Sequence, residues 1–288
     1  MKIGITYPQN ELRGDPEAIR SIGLAAEELG YDHLLAYDHV LGATHDREPK
    51  LTGPYTEKDP FHDPFVMFAY LAGITQRLQF VTGILILPQR QTVLVARQAA
   101  DLDLLSGDRL RLGVGIGWNY VEYTALGQDF HARGKRLAEQ IELLRRLWEE
   151  PLVDFKGTFD RVDRAALNPR PRRRIPIWFG GFAEAALRRA AALGDGFIFS
   201  GNGLEQVVRL KQFVREAGRG EDHFGLQNNI RAKRPQDVVD SILRWRDAGG
   251  THASVLTMGQ NFTSTDQHID HMKVVADSLR RSGLNLAG

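Results

Sequence analysis

Short apolar runs alternate with helical patterns along the whole chain. Each run has the length of a buried β-strand, and apolar residues then recur at helical spacing. This spacing is clearest in residues 132–149, where Leu137, Ile141, Leu144 and Trp148 fall on one helical face. The runs predict eight strands, at residues 3–7, 33–38, 78–87, 110–117, 175–180, 196–200, 224–230 and 253–258.

Eight strand–helix units in a chain of 288 residues predict an α/β fold, a (β/α)8 barrel of the TIM type. A doubly wound sheet is the alternative architecture. We expect one domain over residues 1–288, with two insertions at about 40–62 and 152–174. The first insertion follows a strand, so it should lie at the catalytic end of the barrel. The second follows a helix, and its segment 168–174 is interpreted as a solvated turn or as a grip on an anionic cofactor tail.

Composition narrows the function. The formal net charge is +1 and there are no cysteines. This balance does not favour a nucleic-acid or membrane partner, and the absence of thiols excludes disulfides and a cysteine nucleophile. No apolar stretch has the length of a membrane span or a signal peptide. We therefore expect a cytoplasmic protein that acts on a small molecule.

The stretch "RLRLGVGIGWNYVE" at 109–122 has glycine at every second position from 113 to 117. Glycines with this period lie on one face of a strand. They do not form a dinucleotide fingerprint, because Trp118 stands where its last glycine should be. The bare face either makes room for large neighbours or forms a flat floor. Both remain open for Gly113, and the floor is favoured for Gly117, Trp118 and Asn119.

Other candidate residues follow strand ends, where barrel enzymes carry their chemistry. Asp38 and His39 could bind a polar ring edge or move a proton, or could be a cap and a loop residue. Gly83 interrupts an apolar strand, as a bulge or a packing glycine would. The pair at 180–181 precedes a helix and could bind phosphate or form a tight turn. Ser200 could add a hydroxyl group.

Several other kinds of site have no support in the sequence. The first strand lacks the H-x-H pair of an amidohydrolase metal centre, and no metal site is predicted. His268 and His271 are close at helical spacing but are expected on the surface. Nucleophile-elbow and P-loop motifs are missing. No lysine stands at a strand end as an aldolase would need.

Three segments resemble the bacterial luciferase-like superfamily, and most strongly its F420-dependent oxidoreductase branch. They are "YDH" at 37–39, "TGILILPQRQTVLVARQAADLDLLSGDRLRLGVGIGWN" at 82–119 and "PIWFGGFAEAALRRAAALGDGF" at 176–197. The resemblance covers nearly the whole chain. It implies a TIM-type barrel with a deazaflavin or flavin at the C-terminal mouth.

The resemblance also implies roles for individual residues. Asp38 and His39 match positions beside the cofactor ring. Gly83 and Ile84 match a non-prolyl cis peptide that forms a bulge behind the ring. The segment from Gly117 through Trp118 to Asn119 matches the wall near the ring and ribityl chain. Gly180 and Gly181 match the phosphate site, to which Ser200 at the end of the next strand could contribute its hydroxyl group.

The resemblance implies an oxidoreductase that transfers a hydride between coenzyme F420 and a small molecule. Relatives that oxidise sugar phosphates carry an acid where Trp118 stands, so an apolar or aromatic substrate is expected. His39 would exchange the paired proton, with residues 40–62 as a lid bearing Tyr55, Phe61 and His62. The alternatives are an FMN-dependent monooxygenase supplied by a partner reductase, and a non-catalytic flavin-binding relative. A homodimer is also expected from the family.

Overall fold

Parallel strands form a closed barrel in the part of the chain that the computed structural model describes, residues 1–231 and 233–286. The described residues form eleven strands, of which β6 and β7 lie outside the barrel in a separate hairpin. They are β1 (Lys2–Thr6), β2 (His33–Ala36), β3 (Gln79–Thr82), β4 (Leu85–Ile86), β5 (Leu110–Gly115), β6 (Val153–Lys156), β7 (Arg161–Ala165), β8 (Ile177–Gly180), β9 (Gly196–Phe199), β10 (Gly225–Arg231) and β11 (His252–Leu256). Around the barrel, β1, β2, β3, β5, β8, β9, β10 and β11 follow one another, and β11 pairs again with β1. The predicted eight-stranded TIM-type barrel is confirmed for these described residues, and the doubly wound sheet is excluded.

Helices follow the strands and pack outside them. They are α1 (Pro16–Glu28), α2 (Pro64–Ala72), α3 (Thr92–Ser106), α4 (Tyr120–Ala125), α5 (Arg133–Glu149), α6 (Glu184–Leu193), α7 (Gly203–Glu216), α8 (Pro235–Asp247) and α9 (Thr265–Arg281). Helices α1 and α2 begin directly after Asp15 and Asp63, whose side chains accept hydrogen bonds from the first-turn amides. The predicted apolar face of α5 is buried against the barrel.

The prediction of one continuous strand at 78–87 is wrong. The chain leaves its pairing with β2 after Thr82 and pairs with β5 again at Leu85. The turn between them contains the Gly83–Ile84 peptide bond, which is cis. A Cβ at Gly83 would lie 2.3 Å from Leu35 Cδ2, so a larger residue would not fit there. We call residues 83–86 the bulge.

The second insertion is not wholly irregular. Strands β6 and β7 form an antiparallel hairpin within it. Farther along, Arg173 donates to Asp103 Oδ1 and to the Leu110 carbonyl oxygen, both at 2.7 Å. Because Leu110 begins β5, this arginine-rich segment lies at the N-terminal ends of the strands. This segment is a turn at the end of the barrel opposite to Gly180, so it does not reach a cofactor bound at the C-terminal ends of the strands.

Candidate functional site

A cavity of about 800 Å³ opens at the C-terminal ends of the barrel strands. Its wall comes from residues that follow β2, β5 and β9, from the ends of β10 and β11, from the bulge and from residues 54–55 of the first insertion. Barrel enzymes carry their active sites at this end. The predicted site residues in the wall are Asp38, His39, Gly83, Ile84, Gly117, Trp118 and Ser200.

Three other predicted residues, Asn119, Gly180 and Gly181, do not line this cavity. Asn119 caps α4 through Val121 N–H and donates to the Leu41 carbonyl oxygen at 3.4 Å. Gly180 packs under Ile84, because a Cβ at Gly180 would lie 2.6 Å from Ile84 Cγ2. Gly181 precedes Phe182, which does line the cavity. The predicted cofactor contacts of these residues stay predictions.

The alternating glycines of β5 make room for the bulge. A Cβ at Gly113 would lie 1.9 Å from the Thr82 carbonyl oxygen, and one at Gly115 would lie 2.7 Å from Ile84 Cδ1. Of the two interpretations left open for Gly113, close packing is therefore the one that holds. Gly117 combines both, since it packs beside Ile86 with φ of +62° and also lines the cavity.

Asp38 fastens the bulge to the end of β2. Its Oδ2 accepts a hydrogen bond from Ile86 N–H at 2.9 Å, and its Oδ1 accepts one from Arg90 Nη2 at 2.7 Å. Arg90 also donates to Asp63 Oδ2 at 2.9 Å. Burial acts to lower the pKa of Arg90, but the two carboxylates outweigh it and raise that pKa above its usual value. Burial raises the pKa of Asp38, whereas Arg90 and the Ile86 N–H group act to lower it. Asp38 stabilises the bulge, and its predicted catalytic role stays a prediction.

His39 is paired with a carboxylate that the sequence did not single out. Its Nδ1 lies 3.0 Å from Glu122 Oε2, and the Glu122 side chain is fully buried. Glu122 Oε1 accepts hydrogen bonds from Val40 N–H at 2.8 Å and Leu41 N–H at 3.3 Å. Gln89 Nε2 donates to Oε2 at 3.3 Å. With N–H donors on both oxygens, Glu122 is an acceptor, so Nδ1 carries the proton of the neutral imidazole.

An aromatic group surrounds the His39 ring on its other sides. The ring centroids of Tyr55, Phe61 and Trp118 lie 5.5, 4.8 and 5.5 Å from that of His39, all edge-to-face. We call these three residues the aromatic box. Of the three predicted lid residues, Tyr55 lines the cavity, Phe61 packs on His39 without lining the cavity, and His62 lies beside Gly14.

The first insertion is held down by the start of α4. A Cβ at Gly53 would lie 2.3 Å from Trp118 Cζ3, so the insertion backbone rests directly on the indole ring. Asn119 reaches Leu41, and the Tyr120 hydroxyl donates to the Pro49 carbonyl oxygen. The side chains of residues 118–120 therefore hold the first insertion in the position that places Tyr55 in the cavity wall.

The cavity extends past Phe182 and Leu204, at the beginnings of α6 and α7. For both helices the structure shows no side chain that caps the first-turn amides within the described residues. Free amide groups at a helix start favour an anion. Ser200 and Gly201 lie in the same part of the wall.

The wall also contains polar residues that sequence reasoning missed. They are Asn228, Asn229, Arg231, Ser241 and Arg244. All of them come from β10 and α8, which gave no motif. For Glu122, the signal available was its place in the glycine-rich stretch, four residues after Trp118.

Two further features bear on function. Among residues 1–231 and 233–286, no three His, Asp or Glu side chains are grouped so as to hold a metal ion. None of the helices described for this chain combines the length and apolar character that crossing a bilayer requires.

The sequence profile of a family described as luciferase-like monooxygenase matches residues 2–227. The chain belongs to this family. Membership confirms the superfamily named from the sequence. It does not select between the F420-dependent and FMN-dependent branches.

Named relatives fall on both sides of that division. An uncharacterized protein of Mycobacterium tuberculosis is 32% identical over 88% of this chain and 92% of its own. The F420-dependent glucose-6-phosphate dehydrogenase of Amycolatopsis mediterranei is 30% identical over 77% of this chain and 65% of its own. The FMNH(2)-dependent dimethylsulfone monooxygenase of Pseudomonas fluorescens is 28% identical over 78% and 60%.

Solved structures share the fold. The monooxygenase RslO1 from Streptomyces bottropensis superposes with a TM-score of 0.81 at 22% identity, over 98% of this chain and all of that one. An F420-dependent secondary alcohol dehydrogenase gives a TM-score of 0.77 at 19% identity, over 97% and 99% of the two chains.

Proposed function

We propose that this luciferase-like protein is an F420-dependent oxidoreductase that transfers a hydride between the deazaflavin and a small organic molecule with an apolar or aromatic body. The observation that carries the proposal is the His39–Glu122 pair at the edge of the cavity, next to the bulge. A hydride transfer to or from an oxygen- or nitrogen-bearing carbon needs a partner for one proton, and this pair is built to hold one.

The cavity fits a tricyclic ring with a phosphate-bearing tail. Its volume of about 800 Å³ lies within the range of cofactor sites. The bulge and Gly117 would support the ring, and the uncapped starts of α6 and α7 would bind the phosphate with Ser200. When bound, the cofactor would accept or deliver the hydride.

The residues of the chain supply the proton path and the surroundings. Glu122 holds Nδ1–H of His39, which leaves Nε2 as the nitrogen that exchanges the proton. In the oxidative direction His39 Nε2 would accept the proton that the substrate releases. In the reductive direction protonated His39 would return that proton. The aromatic box would pack against the substrate and exclude water.

One argument favours F420 over FMN. The proton-exchanging pair suits a hydride transfer that consumes or releases one proton. By the family resemblance, sugar-phosphate-oxidising relatives carry an acid where Trp118 stands, which disfavours a sugar phosphate as the substrate.

The second candidate is an FMN-dependent monooxygenase, supported by the FMNH(2)-dependent relative. The two differ in oxygen use, because a deazaflavin reacts poorly with oxygen. We would assay reduced F420 oxidation and F420 reduction against a panel of ketones, enones and alcohols. In parallel, oxygen uptake would be followed with FMN, NADH and a flavin reductase.

Turnover of F420 that is independent of oxygen supports the proposal. Substrate-dependent oxygen uptake with reduced FMN and no F420 turnover would replace it with the monooxygenase. Cofactor binding without turnover in either assay would indicate a non-catalytic relative.

A further inference from the structure

The cavity has a cationic end that the proton pair and the ring site do not use. Arg231 ends β10, Arg244 lies on α8, and both side chains line the cavity. Within the described chain, neither forms an ion pair with a carboxylate. Arg244 donates to Ser241 Oγ at 3.1 Å, and Asp237 of the same helix forms its ion pair with Arg234, while the charge of Arg244 acts on it from farther away. Two arginines that lack an ion-paired carboxylate beside one cavity favour an anionic ligand.

This cationic end shares one cavity with the aromatic box, because Tyr55 and Trp118 line it together with Arg231 and Arg244. Burial raises the pKa of Tyr55, and the charge of Arg231 acts in the opposite direction. Because Tyr55 lies against His39, the wall that carries Arg231 also carries the proton-exchanging imidazole.

We propose that the substrate is an organic anion, with a carboxylate bound by Arg231 and Arg244 and an apolar or aromatic body against the aromatic box. This inference rests on the proposed function, since it names the substrate class of the same site. Guanidinium groups match carboxylates in shape and charge, and they bind them with paired hydrogen bonds. With its carboxylate bound there, the substrate would have its apolar or aromatic body on the side of His39.

The anionic tail of the cofactor is the competing occupant of these arginines. The uncapped helix starts near Phe182 and Leu204 already offer a place for the cofactor phosphate. Arg231 and Arg244 share the cavity with Tyr55 of the first insertion and Tyr37 at the end of β2, on the side of the aromatic box. The substrate is therefore the occupant we infer.

The test compares matched anionic and neutral probes. Benzoate, phenylacetate and 3-phenylpropionate would be titrated by calorimetry against their primary amides, with the whole protein alone and with the protein loaded with F420 or FMN. We expect at least one carboxylate to bind about tenfold or more tightly than its amide, as charge-assisted hydrogen bonds imply. Raising the salt concentration should weaken binding of the carboxylate and not of the amide.

Variants assign this preference to the two arginines. The double variant Arg231→Gln/Arg244→Gln should bind acid and amide equally, and Arg231→Lys should keep part of the preference. Arg172→Gln is the matched control, because Arg172 is exposed in the loop before β8 at the other end of the barrel. Circular dichroism would verify that each variant is folded.

Equal binding of acids and amides by the unchanged protein, or no binding of any carboxylate, would overturn the proposal. So would a double variant that keeps the preference. If that variant instead loses tenfold or more of its F420 or FMN affinity, the arginines hold the cofactor tail, and the oxidoreductase proposal survives without this one. A lost preference in the double variant of a protein that binds neither cofactor supports the anion site and refutes the oxidoreductase proposal.

Discussion

At the scale of single residues, the account depends on how one buried carboxylate sets the state of one imidazole. Glu122 is fully buried and accepts from two backbone amides as well as from His39. An acceptor beside Nδ1 fixes the neutral tautomer with its free nitrogen at Nε2. The tautomer of His39 therefore depends on the same carboxylate that fixes the backbone of residues 40 and 41.

Substitution of His39 and Glu122 should separate catalysis from cofactor binding. We expect His39→Ala to lower kcat by about 10²- to 10⁴-fold, as loss of a general acid or base does. Glu122→Gln keeps a carbonyl oxygen for the amides of residues 40 and 41 but can present an N–H group to Nδ1, so kcat should also fall. Steady-state kinetics over a pH series, with cofactor affinity by fluorescence, would measure both effects.

Glu139→Gln is the control for these variants. Glu139 also accepts from three consecutive backbone amides, of Thr158, Phe159 and Asp160, but lies outside the cavity. Its substitution should leave kcat unchanged. Full turnover by His39→Ala, or a loss confined to cofactor affinity, would remove the proton role of His39.

At the scale of elements, the bulge and the glycines of β5 depend on each other, because the bulge packs against the bare backbone that the glycines provide. The bulge turns inward at Gly83, and β5 offers bare backbone to receive it. Asp38 then fastens Ile86 to the end of β2. The wall of the cavity is thus shaped by backbone, which explains why a strand interior tolerates so many glycines.

Gly113→Ala should therefore destabilise the protein. The new Cβ would lie 1.9 Å from the Thr82 carbonyl oxygen and 2.8 Å from Ile198 Cδ1. We expect a loss of about 1–3 kcal/mol in the free energy of unfolding, the usual cost of overpacking. Gly220→Ala is the control, because a Cβ there meets no described atom within 4 Å. Equal denaturation midpoints for the two variants would show that β5 and the bulge are not tightly packed.

Sequence patterns predicted the elements well and their long-range contacts poorly. The eight runs match barrel strands because burial and strand length are local properties. The division of residues 78–87 was missed, since it depends on Leu35 filling the space beside Gly83. The hairpin of β6 and β7 was missed because its exposed residues carry no apolar run.

The site shows the same division between local and long-range information. Asp38, His39 and Gly117 were found because strand ends and glycine spacing are visible in the chain. Glu122 and Arg231 were missed, because their importance arises from partners 83 and about 190 residues away, His39 for the first and Tyr37 for the second. Their side chains alone are indistinguishable from ordinary surface charges.

At the scale of the whole molecule, buried histidines link stability to pH. The expectation that His268 lies on the surface is wrong, because its side chain is fully buried beside Thr257. Burial lowers the pKa of His33 to about 4, and burial, followed by the charge of His271, lowers that of His268 to about 4. In the unfolded chain a histidine titrates near 6.5. Between these values the unfolded state binds more protons, so the protein loses stability as the pH falls from about 6.5 to about 4.

Urea denaturation at a series of pH values would measure this loss. Each of the two histidines should contribute a slope of up to about 1.4 kcal/mol per pH unit. His268→Gln should make the dependence less steep, whereas Arg172→Gln should not change it. A free energy of unfolding that stays constant or rises on acidification through this range would contradict the assignment of neutral buried histidines.

The most direct measurement is a fluorescence titration of the purified protein with F420 and with FMN. The account predicts saturable micromolar or tighter binding of F420, because the barrel mouth offers a ring-sized wall and uncapped helix starts for the phosphate. Absence of measurable affinity for both would contradict the claim that this cavity holds a flavin-like cofactor.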